Sequence, residues 1–388
     1  MIFKDVTIKI GSGATPRGGA NTYMDSGISL IRSQNVQDMS FEYEGLAHIN
    51  IEQAAKLSNA EVKSGDVLLN ITGDSIARCC IVPDETLPAR VNQHVAIIRT
   101  TKVSSKYLLY FLQYLKPHLL QISNVGGTRN ALTKEAIEKL PFWEISNSNK
   151  VANLLDSIDK KIANNNKINA QIESIAITLY DYWFVQFEFP NKGGKPYKSA
   201  GGKMVWNDEL KREIPERWEV KKIGNILVET DKSKVQVNEA KEKGKYPFFT
   251  SGESVLSYDE FFIDGFNIFL NTGGNPDIKA YMGKCAYSTD TWCISGEEYS
   301  YILYYYFLKL MPQFEQLFFA GSGLKHLQKD ALKNKNIVLP DINVLKIFND
   351  TCAPAWKKIA NCTRQNQELS FLRNFLLPLL MNGQLTFK

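Results

Sequence analysis

Between Val151 and Trp183 the positions Leu155, Ile158, Ile162, Asn165, Asn169, Ile172, Ala176, Leu179 and Trp183 follow one another in alternating steps of three and four. Held over several heptads, this spacing predicts a helix with a narrow seam that packs against another helix. A core helix inside one large domain would carry the same pattern. Upstream the periodicity is different. Ile28–Ile31 and Val67–Ile71 are short apolar bursts, separated by turn-forming strings such as SGATPRGG (12–19) and TGDS (72–75). Val91–Arg99 alternates polar and apolar residues as a half-buried strand would. Tyr107–Leu120 reads as helix, NVGGTRN (124–130) as loop, LTKEAIEKL (132–140) as a short helix and PFWEI (141–145) as a strand.

The second half of the chain replays this order. Moved by 195 positions without a gap, Tyr107–Ile145 falls on Ile302–Pro340, and Leu108, Tyr110, Leu115, Pro117, Gln121, Gly126, Leu132, Lys134 and Ala136 meet the same residue types. The long helix follows at a shift of 197, with KKIA (160–163) on KKIA (357–360) and Asn169 on Asn366. LLNITGD (68–74) resembles FLNTGG (269–274). The interval is far longer than a solenoid repeat, so the chain is a tandem duplication of one domain plus one helix. The seam of the second helix, within Phe348–Leu380, includes Ile359, Asn366, Leu369 and Leu376. Two amphipathic faces with one register pack most economically on each other, the seam asparagines fixing register at some cost in stability. Pro354 predicts a break or a fresh start near Asp350–Pro354, and Pro378 a kink in the last turns. Residues 190–217 are polar and rich in Gly, Lys and Pro, and read as solvated linker.

The expected fold is therefore α+β. Two tandem α/β domains, 1–148 and 216–342, are separated by two long helices, in 149–189 and 343–388, packed as an antiparallel coiled coil with a pseudo-twofold; 190–215 is the linker.

Composition narrows the picture only slightly. The chain of 388 residues has the apolar and charged fractions of a globular protein, and its length calls for more than one core. No apolar run is long enough to span a bilayer and the first residues do not form a signal peptide. Six cysteines without CxxC spacing read as reduced cytosolic thiols, Cys79 and Cys80 as core fillers. A net charge of +5 permits an anionic partner without requiring one. No phosphate loop, dinucleotide-binding glycine motif, HExxH, nucleophile elbow or NPP-aromatic motif occurs, and the four histidines have no metal-ligand spacing. No catalytic residue and no metal ligand can be assigned. Duplicated domains without a catalytic constellation point to binding.

Several loops carry side chains suited to reading a nucleic acid. In the first half these are Ser12, Thr15 and Arg17; Arg32, Ser33, Gln34 and Asn35; Asp74, Ser75 and Arg78; Asn92, Gln93 and His94; and Thr128, Arg129 and Asn130. In the second they are Thr250 and Ser251; Asn271, Thr272, Asn275 and Lys279; and Ser322, Lys325 and His326. Arginine pairs with guanine and asparagine or glutamine with adenine through two hydrogen bonds each, while Ser, Thr and Lys hold phosphates. Ordinary polar turns would look alike one by one, but GGTRN (126–130) and GSGLK (321–325) occupy matching places in the two halves.

At this point the chain resembles a known family. The order of elements, with GDSIARCCIVPDETLPARVNQHVAIIR (73–99), PYKSAGGKMVWNDELKREIPERWEV (196–220) and FLLPLLMNGQL (375–385), is similar to the DNA-specificity subunit of type I restriction–modification enzymes. The resemblance spans essentially the whole chain. It implies two target-recognition domains that each read half of a split DNA site, and conserved helices that dock two methyltransferase subunits. Catalysis would lie on partners: methyl transfer from S-adenosylmethionine to adenine N6, and ATP-driven, Mg-dependent translocation and cutting by a restriction subunit. The chain itself would bind DNA, no cofactor and no membrane, in the cytoplasm. One departure stands out: Phe3–Val6 matches only Ile223–Ile226, so the first repeat lacks the IPERWEV lead-in of the second or the chain starts late. On this reading the paired helices hold the domains about a DNA turn apart and so set the gap. A protein-binding scaffold, or a nuclease with an unrecognised acidic site, are the rival readings.

Overall fold

The computed structural model describes residues 1–124, 131–241, 243–252 and 255–386. Two compact units emerge. Unit 1 comprises Met1–Lys160 and the segment from Leu372 onward; unit 2 comprises Lys161–Phe371.

Unit 1 is built on a four-stranded antiparallel sheet of β1 (Thr7–Ser12), β2 (Val67–Asn70), β3 (Cys79–Ile81) and β4 (Val95–Thr100), in the order β1-β4-β2-β3. Val95–Ile98 alternate between two cores. Ala96 and Ile98 join Val67 and Leu69 under the helices Ser105–Tyr114 and Lys116–Ser123; Val95 and Ile97 join Leu68 under a second sheet. The expected half-buried strand at Val91–Arg99 is thus covered on both faces and interrupted by a turn at Asn92–His94, because each of its faces has a layer to cover it. The second sheet pairs Ile28–Ile31 in parallel with Ala89–Val91 and antiparallel with Ala47–Ile49.

Unit 2 repeats this plan. Strands β5 (Val228–Glu229), β6 (Phe266–Asn271), β7 (Ile278–Met282) and β8 (Thr291–Ser295) lie in the order β5-β8-β6-β7, each neighbour pair antiparallel. A second sheet again holds one parallel pair, Tyr246–Phe249 with Ala286–Tyr287. Even the lead-ins coincide: Phe3 N donates to Leu140 O at 2.9 Å, and Ile223 N donates to Lys335 O at 2.9 Å. The repeat diverges beside this contact. Asn336–Leu339 is a strand because Glu219–Lys222 pairs with it. The expected strand at 141–145 has only the Ile2–Pro141 bridge and a bond from Phe142 N to Met1 O, and does not form a ladder.

Helix α1 (Ser148–Tyr180) closes in a π-turn at Asp181–Val185, so Trp183 lies beyond the α-helical part. Helix α2 (Ile342–Met381) runs for 40 residues without the break expected near Pro354. Pro354 is exposed, so the carbonyl left without its amide partner faces water. Phe348, Cys352, Trp356 and Ile359 are all buried on the opposite side and keep the helix continuous through the defect, whose cost is about 3 kcal/mol in isolation.

Within unit 2 the two helices run antiparallel. Asn165 Nδ2 donates to Asn366 Oδ1 at 2.9 Å, while Tyr180 packs on Phe348, so rising numbers meet falling ones. Toward its globular core the seam is buried (Ala176, Trp183, Ile359), but Ile162, Asn169, Ile172, Leu179, Asn366 and Leu369 are only half-buried, as in a two-helix seam. In unit 1, Leu155 and Ile158 are buried, Leu155 clusters with Leu380 and Met381 and with half-buried Leu376, and Arg373 Nη1 meets Asp159 Oδ1 at 2.5 Å.

Residues 190–215, expected as solvated linker, are folded. Met204–Asn207 and Arg212–Pro215 form a hairpin, and Phe189 stacks on Tyr197 and Trp218 at 4.6 and 4.9 Å. Scattered aromatic and apolar residues supply a small core that the average polarity of the segment conceals. Among the described residues no helix is long and apolar enough to cross a membrane.

Candidate nucleic-acid interface

In unit 1 three of the predicted loops meet. Ser33 and Gln34, Thr72–Ser75 with Arg78, and His94 line one cleft of about 430 Å³. The fold brings them together because the loops leave adjacent strand ends: 32–35 follows Ile31, 71–78 joins β2 to β3, and 92–94 precedes β4. Asn70, fully buried at the end of β2, ties the first two loops, its Nδ2 donating to Ser33 O at 2.9 Å and Val36 O at 3.1 Å.

A polar chain crosses the cleft. Thr15 Oγ1 donates to Gln93 Oε1 at 2.5 Å, Gln93 Nε2 lies 3.0 Å from His94 Nε2, and His94 Nδ1 lies 2.6 Å from Thr72 Oγ1. With the glutamine amide as donor, the histidine carries its proton on Nδ1 and gives it to Thr72, whose own hydroxyl proton remains available to a ligand. Arg78 Nη1 donates to Gln37 Oε1 at 2.7 Å, a neutral partner that leaves the guanidinium charge uncompensated. Arg32 lies over the Tyr23 ring at 5.3 Å and donates through Nη2 to Gly45 O at 2.5 Å; Gln34 Nε2 reaches the same carbonyl at 3.3 Å. Arg17, Gln34, Asp74 and Gln93 are exposed, and Ser12, Thr15, Ser33, Ser75 and His94 half-buried.

Two residues of the predicted set are withdrawn from ligand contact. Asn35 is fully buried, with Nδ2 on Glu42 O and Oδ1 accepting from Arg32 N. Asn92 is buried, and its Oδ1 accepts from His94 N at 3.0 Å. Both shape loops, a role that a polar residue in a turn-like string does not distinguish from contact. Thr128, Arg129 and Asn130 lie outside the described residues.

Unit 2 presents the corresponding loops. Thr250 and Ser251 follow Phe249 as Arg32 and Ser33 follow Ile31. Leu327 N donates to Thr272 O at 3.0 Å, as Leu132 N donates to Ile71 O at 2.9 Å, and Gly274 N donates to Lys325 O, which joins the 271–277 and 321–326 loops. Here too the buried residues are structural. Asn271 holds its own loop through Gly273 O and Asn275 O and accepts from Asp277 N at 2.8 Å, while buried Thr250 accepts from Gly252 N at 3.1 Å. Asn275, Ser322, Lys325 and His326 are exposed, and Ser251, Thr272 and Lys279 half-buried. The cations are already paired: Lys279 with Asp277, and Lys325 with Glu315 at 2.6 Å.

Residue-by-residue reading missed Thr72, Gln37 and Asp290. The last is exposed and takes the place of His94, its carbonyl accepting from Thr272 N at 3.1 Å where His94 O accepts from Ile71 N. Aligning TGD with TGG and carrying the repeat on to the next strand would have found it. Among the described residues no cluster of three His, Cys, Asp or Glu side chains is placed to hold a metal ion. Cys79 and Cys80 are buried in unit 1, where loss of solvent pushes both thiols up, that of Cys80 to about 12.

The family model for the type I restriction modification DNA specificity domain matches residues 4–174 and 215–372, and the chain belongs to that family. It is 26% identical to the type I restriction enzyme MjaIX specificity subunit of Methanocaldococcus jannaschii over 97% of this chain and 91% of that protein. It is 25% identical to the EcoDI specificity subunit of Escherichia coli over 45% of this chain and 40% of that one. In fold it is similar to the crystal structure of a type I restriction–modification S subunit from M. genitalium, with a TM-score of 0.57 at 12% identity, covering 98% of this chain and 95% of the other. The chain is thus a type I specificity subunit with two tandem DNA-recognition domains.

Proposed function

We propose that each globular domain reads one half of a bipartite, gapped DNA sequence through its loop cluster, entering the major groove, and that the paired helices set the gap. The observation that carries this reading is the shared strand order of the two units. It sends corresponding loops to corresponding strand ends while the side chains on them differ, as two different half-sites require. Helix α1 has 33 residues, about 50 Å at 1.5 Å per residue, enough to hold two readers one turn of DNA apart, about 34 Å.

The same helices would dock methyltransferase subunits, two per chain. Ile175, Leu179 and Tyr182 form an i, i+4, i+7 stripe in unit 2; their repeat equivalents Leu372, Leu376 and Leu379 form one in unit 1. Ile175 is 69% and Leu372 42% exposed, which is costly for aliphatic side chains unless a partner covers them. Adenine-N6 methylation with S-adenosylmethionine would belong to those partners, ATP- and Mg-dependent cutting to a restriction subunit, and the chain itself would be non-catalytic and cytoplasmic.

Methylome sequencing of cells carrying the chain and its methyltransferase partner tests the reading. Replacing residues 250–252 and 271–279 by another member's loops should alter one half-site only. Seven extra residues in each helix, about 10 Å, should widen the gap by about three base pairs with both half-sites kept. Altered half-sites with an unaltered gap would overturn the ruler.

A further inference from the structure

Unit 2 has a concave surface at the ends of β6 and β7 far from its candidate reading loops. It is a groove of about 300 Å³ between the 245–247 segment, the 281–284 turn and helix α2. Four cations line it, Lys245, Lys284, Lys357 and Arg364, with Asn361 between the last two. All four are exposed, and none is in an ion pair with a described residue. Lys284 lies over the Phe261 ring at 4.5 Å, which orients the ammonium without neutralising it. The corresponding end of β3 in unit 1 is lined by Asp84, Ser64, Asn149 and Asn153, and its single cation, Lys106, is already held by Asp156 at 2.6 Å. At this end of the sheet the unpaired charge therefore belongs to unit 2.

We infer that this groove holds backbone phosphates of the DNA flanking the second half-site. The inference rests on the DNA-reading function proposed above. Like charges from three separate segments repel one another, and a run of phosphates relieves that repulsion where a single carboxylate would not. The reading loops of unit 2 need such help because Lys279 and Lys325 are already neutralised by Asp277 and Glu315. The distance also fits. Strand β7 has five residues, about 17 Å at 3.3–3.4 Å each, which matches about five base pairs of duplex.

The test is a salt titration of the full chain on a duplex carrying its methylome-defined site. Lys284→Gln, Lys357→Gln and Arg364→Gln together should reduce the slope of log K against log salt by about 2–3, roughly 0.9 per lost phosphate. Both half-sites should stay the same. Lys358→Gln, an exposed neighbour on the same helix and outside the groove, should leave the slope unchanged. Ethylation interference on the unsubstituted chain should mark phosphates about five nucleotides beyond those held by the reading loops of the second half-site. An unaltered slope, an equal effect from Lys358→Gln, or loss only of inorganic-phosphate binding or of methyltransferase assembly would each overturn the inference. Absence of any preferred site in the unsubstituted chain would instead refute the reading function, and the slope comparison on random duplex would still judge the groove.

Discussion

The two units share their strand order, their parallel pair and their loop positions, yet they hold the cations of their candidate reading loops in opposite ways. In unit 1 the cations rest on neutral groups: Arg78 on the Gln37 amide, Arg32 on a carbonyl and the Tyr23 ring. In unit 2 they rest on carboxylates. The anchoring asparagines differ as well. Asn70 ties one loop to another, whereas Asn271 ties its loop to itself. A duplicated scaffold has thus kept the backbone frame and let charge balance and loop coupling diverge. Unit 1 offers an open positive charge at its cleft; in unit 2 any anionic partner would have to compete with an internal carboxylate.

The largest effects should come from the anchors. Asn70→Ala leaves the buried carbonyl of Val36 without a partner and that of Ser33 with only the Val36 amide, and should cost about 1–3 kcal/mol in denaturant unfolding. Because the anchor spans two loops, it should also relax several positions of the first half-site. Asn271→Ala should cost a similar amount in stability but relax only the positions read by its own loop. If both variants blurred their half-sites equally, the distinction between coupled and self-contained loops would fail.

Next come the cations. Arg78→Gln should lose about 1–3 kcal/mol of discrimination at one position if the guanidinium meets a base, measured by competition between matched and mismatched duplexes. Lys279→Gln should lose less, under about 1 kcal/mol, because the bound lysine first gives up Asp277. An equal loss on every duplex would assign either side chain to phosphate.

How much of this was legible follows from what pattern can carry. The helices, the duplication and the loop positions were written as periodicity and as residue identities at fixed shifts, and α1, α2 and the matching sheets bear them out. Pro354 misled because a local rule for an isolated helix ignores the buried wall of Phe348, Cys352, Trp356 and Ile359 behind it. The hairpin at 204–215 was hidden by averaging over a polar segment whose few aromatics do the packing. Within the candidate interface, composition marked loops that the fold gathers at strand ends but could not separate Asn35, Asn92, Thr250 and Asn271, which face inward, from Gln34, Gln93 and Asn275, which face out. Burial is decided by strands distant in sequence.

The helices extend the comparison to single repeat-related positions. Asn169 and Asn366 are equivalent under the duplication, but Asn366 bonds Asn165 and Asn166 while Asn169 Oδ1 is buried without a partner. The register that sets Asn165 opposite Asn366 sets Asn169 opposite Cys362, which offers only a weak thiol donor. Asn169→Leu should therefore raise stability by about 1 kcal/mol, whereas Asn165→Leu should lower it by at least as much. Thermal unfolding of the two variants side by side decides the matter; a loss from both would mean that Asn169 is satisfied in solution.

The smallest expected effect is a pH dependence at a third such pair, Glu173 and Ser370. Burial holds the Glu173 carboxyl above its ordinary value of 4.5; burial likewise raises the phenols of Tyr304 and Tyr305, and the Glu173 charge adds to both. A carboxyl whose folded pKa is raised binds its proton more tightly folded than unfolded. Its favourable contribution is complete below the unfolded pKa and is lost as pH rises through the folded one. Glu173→Gln removes the penalty without changing shape, so it should raise Tm at neutral pH and have little effect near pH 4. Ser370→Ala, at the position without a buried charge, should shift Tm equally at both. A Glu173→Gln gain that stayed constant from acid to neutral pH would show that the carboxyl is hydrated or paired there, and that charge does not separate the two copies of the helix at this position.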